Sequence, residues 1–232
     1  MSKALESALL ESSETIAQYL DAVFQSLDEL RRAASPLLAS SMVKHDSLDE
    51  LEPLVRSIIE QHDGLVISAG VAVAPGVLVD APAWMQSWHW TGSKLGFTRH
   101  DLNPDSINFY DYIDMAWFKT PAEQGRPVVA GPYMDFGATD ARIITASMPT
   151  ASRNSTVSVV AADLSLERLE YLLLTSLGPL EPAIALLSKT GKVIATNSAK
   201  VAVTGELPKP WQFTVLIPTT AIDSSWRLIA AD

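Results

Sequence analysis

Apolar residues near the N-terminus fall along one side of a helix. Leu9, Ile16, Leu20, Val23, Leu27 and Leu30 recur at steps of three, four or seven, and neither Gly nor Pro occurs before Pro36. That period predicts one long helix over residues 1 to about 38, its stripe serving either a core or a dimer seam. A second helix is expected from Ser47. Ser47 and Glu50 have the spacing of a capping box, and Leu48, Leu51, Val55, Ile58 and Ile59 supply an apolar face. Gly64, after Asp63, is its stop.

Past Gly64 the pattern turns from helical to extended. Residues 65–74 (LVISAGVAVA), 141–148 (ARIITASM) and 156–162 (TVSVVAA) are short apolar runs of the kind that form antiparallel strands. Ser165 opens another helix carrying Leu166, Leu169, Leu173 and Leu174, which Gly178 and Pro179 close. Residues 183–187 and 192–196 flank a Lys-Thr-Gly turn as a hairpin, and 226–230 (WRLIA) is a last strand. Two helices, strands, a helix, a hairpin and a strand make an α+β protein with an antiparallel sheet.

Residues 75–140 obey neither period and read as a long irregular segment, a feature that in compact domains usually carries function. Aromatic residues crowd it, among them Trp84, Trp88, Tyr110, Trp117, Phe118 and Tyr133, and Asp111, Asp114, Asp135 and Asp140 are interleaved with them. Ring faces attract a positive charge, and a carboxylate neutralises it once water is removed. This composition therefore suits an organic cation.

The overall charge narrows the classes further. The formal net charge is −10, and no run of Lys or Arg reaches three, so a phosphate backbone is repelled and direct nucleic-acid binding is not expected. With no cysteine, a disulfide scaffold, a thiolate nucleophile and a Cys-based zinc site are excluded. His45, His62, His89 and His100 lack metal-ligand spacing, and no cofactor fingerprint is present. The N-terminus has no basic segment leading into an apolar core, and no apolar run is long enough to span a bilayer. The expected location is cytoplasmic, an excised extracytoplasmic sensor being the other reading.

Four landmarks carry a family resemblance: residues 109–118 (FYDYIDMAWF), 131–135 (GPYMD), 143–149 (IITASMP) and 161–164 (AADL). In that order they resemble a Cache (PDC) sensor domain, in which a tyrosine precedes R-x-W-Y, P-Y-x-D follows on a hairpin, and G-x-D closes the pocket before a helix. The resemblance implies a PAS-like antiparallel sheet flanked by a long N-terminal helix. It divides the chain into an N-terminal helix (1–45), a ligand-binding domain (46–178) and a reduced C-terminal β subdomain (179–232).

Carried over residue by residue, the resemblance makes Tyr110, Tyr133, Asp135 and Asp163 the ammonium grip of amino-acid-binding members. The carboxylate grip is missing: the arginine position is Met115, and the last tyrosine of the element is Phe118. The pattern is similar to that of the amine-responsive branch. Trp117, Trp84, Trp88 and Asp114 complete the expected ligand-binding set.

The functional expectation is a non-catalytic sensor for a small amine or quaternary ammonium ion. It would signal to a separate regulator, such as a transcription regulator, and dimerise through the N-terminal helix. Lys119 and Arg126 are the cations that would undo this reading by reaching into the pocket. Bland roles compete as well: Asp163 as a cap of the Ser165 helix, Asp135 as a turn residue, and the tryptophans as core. The alternative is a small enzyme using Asp114 or Asp135 as acid or base with His89 or His100 assisting, although no catalytic motif accompanies them.

Overall fold

The stripe of the first helix is spent inside the chain's own core. In the computed structural model, Leu9, Ile16, Leu20, Val23, Leu27 and Leu30 of α1 (Lys3–Ala39) all have 0% exposure. That face is therefore closed to a dimer partner. The described residues are 3–136, 141–150, 156–178, 182–205, 207, 211, 213–221 and 226–231; Asp140 and Pro179 lie outside them.

The capping box at Ser47 does not form. Ser47 sits within a short 3-10 helix (His45–Leu51) whose N-cap, Lys44, makes no side-chain cap bond. Helix α2 (Glu52–Gln61) starts five residues later than expected, with Pro53 in its first turn. A proline there presets the helical φ and forfeits no hydrogen bond, so it outranks the box as a start signal.

Six antiparallel strands form the main sheet: β1 (Val66–Val73), β2 (Trp84–Trp90), β3 (Leu95–Phe97), β4 (Val128–Met134), β5 (Arg142–Pro149) and β6 (Val159–Ser165). Their order across the sheet is β3-β2-β1-β6-β5-β4. The segment read as irregular thus contributes three strands and α3 (Ala116–Gln124). Strand alternation sorts the side chains. Ile144, Ala146, Val160, Ala162 and Leu164 join the α1 stripe in one buried cluster. Their neighbours Ile143, Thr145, Ala161 and Asp163 line a cavity on the other face.

Helix α4 (Leu166–Leu177) follows β6 directly, and the Ser165 hydroxyl caps it by accepting from the Arg168 amide at 3.2 Å. Ser165, not Asp163, is the cap. A second sheet, β7 (Ile184–Leu187), β8 (Val193–Thr196), β9 (Phe213–Leu216) and β10 (Arg227–Ala230), has the order β8-β7-β10-β9. The hairpin and last strand stand where expected, and β9 is an addition. Ile184, Leu186, Ile194 and Leu228 are buried in the same cluster as α1. Asp21 of α1 accepts from the Thr219 hydroxyl and from the amides of Thr220 and Ala221, which fastens the helix to the segment after β9.

Gly70 lets β1 and β2 approach. A Cβ at that position would lie 2.2 Å from the Gln86 carbonyl oxygen and 2.6 Å from Ser87 Cα. Gly70→Ala is expected to destabilise the protein by about 1–3 kcal/mol in urea melts, with the far-UV spectrum of the folded state retained.

Candidate ligand-binding site

Four neighbouring strands set the floor of the cavity. Ser68 on β1 stands beside Asp163 on β6, Asp163 beside Thr145 on β5, and Ile143, two residues before Thr145, beside Tyr133 on β4. All five residues line the cavity, whose empty space is ≈ 460 Å³ with its open mouth included. The Thr145 hydroxyl donates to Asp163 Oδ1 at 2.7 Å. Its single proton is then committed, so the Tyr133 hydroxyl donates to Thr145. Ser68 gives Asp163 a further hydrogen bond.

Asp135, 5% exposed, is held just beyond β4, where its amide donates to the Ala141 carbonyl. It lines the cavity with Asp163. Burial, aided by the charge of Asp135, pushes the Asp163 carboxyl up to about 6, against the pull of its two hydrogen bonds. The Tyr133 and Tyr110 hydroxyls are pushed far up by burial and by the two aspartates, so both stay protonated donors. Among the described lining residues there is no Lys or Arg.

An aromatic wall closes the cavity. Trp117, in the first turn of α3 and 4% exposed, lines it and bonds the Tyr110 hydroxyl. His100 stacks on Tyr110 at 4.9 Å between ring centres and meets Ser87 across 3.4 Å. Tyr112 anchors this wall: its hydroxyl donates to the Val73 carbonyl, and its buried phenol is pushed up to about 12.

The cavity thus brings together Tyr110, Trp117, Tyr133, Asp135 and Asp163 of the expected set. The other five stand elsewhere. Phe118 packs edge-on against Tyr112 in the core, at 5.2 Å. Trp84 and Trp88 share one face of β2, whereas Met85 and Ser87, on the opposite face, line the cavity. Trp84 instead meets His45 at 4.5 Å, and Trp88 is buried in the core. Asp114 points to solvent and pairs with Lys119 at 2.9 Å. Met115, at the N-cap of α3, lines a groove outside the cavity. Lys119 and Arg126 do not enter; Arg126 donates to Gln124. Of the residues named for the enzymatic alternative, Asp114 stands outside the cavity, whereas Asp135 and His100 both line it.

Sequence reasoning missed Ser68, Ser87 and Thr145 as lining residues, and named His100 only for the enzymatic alternative. The period-2 pattern of β1 and β5 was the signal that could have found Ser68 and Thr145.

Residues 89–171 match the family model of the methyl-accepting chemotaxis protein-like, first PDC sensor domain. The whole chain is similar in structure to one described as methyl-accepting chemotaxis protein X, with a TM-score of 0.68, 16% identity, and coverage of 98% of this chain and 97% of that one. The fold is that of a Cache, or PDC, sensor domain. The extracellular domain of the putative histidine kinase soHK1S-Z6 shares it, with a TM-score of 0.66, 17% identity, and 98% and 93% coverage. So does the ligand-binding domain of the Pseudomonas aeruginosa amino-acid chemoreceptor PctB in complex with L-Arg, with a TM-score of 0.63, 14% identity, and 98% and 93% coverage. No match to a curated protein sequence was found.

The matched family is a sensor family and not an enzyme family. One of these Cache neighbours is by name an extracellular domain, so the fold lends no support to the cytoplasmic location expected from the N-terminus. Among the described residues no helix is long and apolar enough to cross a membrane.

Thr145 is the link whose removal is easiest to read. Thr145→Val keeps the shape and deletes the bonds to Tyr133 and Asp163, so the Asp163 titration midpoint is expected to move upward. A carboxyl-carbon NMR titration reports it, together with a stability loss of about 1 kcal/mol.

Proposed function

We propose that the chain is the ligand-binding unit of a non-catalytic sensor whose cavity takes a small organic amine. The observation that carries this reading is the meeting of Asp135 and Asp163 in one cavity with no Lys or Arg among its described lining residues. Asp163 is desolvated and repelled by the charge of Asp135, and a bound cation relieves both penalties at Asp163. An ammonium head also offers N–H donors to the free lone pairs of Asp163, while Tyr110, Trp117 and Tyr133 give it ring faces.

The structural neighbours include a receptor named for amino acids. Here Met115 stands where the family resemblance places the arginine that grips a ligand carboxylate, which favours an amine without a carboxylate. Ligand-driven movement of the cavity wall would be read by a separate signalling partner through the sheet and α1.

The pH dependence follows from the direction of the Asp163 shift. Its carboxyl goes from an ordinary 3.8 to about 6 in the fold, so between these values the native state keeps a proton that the unfolded chain has lost. Stability without ligand therefore falls as pH rises through that window, by about 2 kcal/mol, while affinity for an amine rises because the carboxylate is freed. Asp163→Asn is expected to raise the unliganded melting temperature at pH 7 and to abolish amine binding. Isothermal titration with amines and α-amino acids at pH 5 and 7 tests the reading. Binding of α-amino acids with no binding of simple amines would overturn it.

A further inference from the structure

Beside the cavity runs a groove that the ammonium grip leaves unused. Tyr110, Tyr133 and Asp135 line both spaces, so the two adjoin across these residues. Three separate segments bring apolar side chains to the outer groove: Ile107 and Phe109 from the loop before Tyr110, Met115 at the head of α3, and Met134 and Phe136 at the end of β4. Ile107 is 99% exposed and Phe136 83%. Large apolar side chains gathered on a surface mark a place that something covers.

Apart from Asp135, which the groove shares with the inner cavity, its described charges oppose each other, since Arg99 lines it together with Asp101. It therefore makes no demand for a second charge on the occupant. The inner cavity, by contrast, concentrates its polarity at one point, where Ser68, Thr145, Asp135 and Asp163 meet. A ligand whose ammonium group is held there reaches the apolar rim if its remainder extends across Tyr110, Tyr133 and Asp135, the residues common to both spaces.

On these grounds we infer that the outer groove is a second subsite, which holds the apolar body of the same ligand. The ligand class is then an amine bearing an aryl or alkyl body, as opposed to a polyamine or a methylated ammonium ion. This rests on the amine reading of the inner cavity and adds to it the determinant of selectivity among amines.

The test is isothermal titration of the full chain with propylamine and 3-phenylpropylamine, which share a head and a linker. The phenyl compound is expected to bind about tenfold tighter or more. An Ile107→Ser/Phe136→Ser double variant should remove most of that gap and leave propylamine binding unchanged. Both side chains are exposed, so an unchanged melting temperature is expected to accompany the effect. Equal affinities in the unsubstituted protein, or a gap that survives in the variant, would overturn the second subsite alone. Failure of both amines to bind would overturn the amine reading and this one with it. Sedimentation velocity covers the remaining occupant, because a dimer that the double variant dissolves assigns the rim to a second copy and sinks the inference.

Discussion

Two carboxyl groups share an enclosed space, and among its described lining residues there is no Lys or Arg. Every nearby contact in the site serves that constraint. Thr145 donates to Asp163, Tyr133 donates to Thr145, and Ser68 adds its own bond from the neighbouring strand. Those donors offset part of the desolvation but not all of it, which is why the Asp163 carboxyl still rises to about 6. The sheet sets Asp163 among these donors, and under the proposed function a positive ligand would relieve what remains.

The same sheet joins the cavity to the core around α1. On β5 and β6, the side chains that touch the cavity alternate with Ile144, Ala146, Ala162 and Leu164, which share a buried cluster with α1. A shift of these strands has no slack to absorb it in a close-packed layer. Helix α1 is tied at further points. Ser26 bonds His62 at 2.9 Å and accepts from Gln61 at 2.7 Å, while Asp21 holds the turn after β9. Burial holds the His62 imidazole below its usual range, so it stays neutral and the latch keeps its form at neutral pH. The helix is thereby coupled to both sheets at once.

The elements with a clean period were legible in the sequence. The α1 stripe, the apolar runs of β1, β5 and β6, and Ser165 as a helix cap all follow from patterns that depend on nearest neighbours. Residues 75–140 were not legible as structure because their apolar positions are aromatic and their alternation is mixed. On β2, Trp84 and Trp88 alternate with Met85, Ser87 and His89, so neither face reads as plainly buried. Reading that stretch as a loop placed its tryptophans beside the ligand, whereas period-2 geometry turns Trp84 and Trp88 to the face away from the cavity. Tyr110, Tyr133, Asp135 and Asp163 were found through their spacing in a family pattern, and Trp117 with them. Ser68 and Thr145 were missed because strand register, set by pairing far apart in sequence, is what delivers them to Asp163.

The two departures from the family pattern act together on the shape of the site. Phe118 lacks the hydroxyl of the tyrosine it replaces, and its ring lies edge-on to Tyr112 and Trp117 in the core, where an unpaired hydroxyl would be costly. Met115 stands where the resemblance places an arginine, and it lines the groove together with Phe109 and Phe136. A single exchange at that position thus does two things: it withdraws the charge that would hold a carboxylate, and it extends the apolar wall at the cavity's mouth. Flexible and unbranched, methionine accommodates bodies of different shape. The proposed amine head site and apolar tail site would then not be separate specialisations, because one residue at the N-cap of α3 favours both.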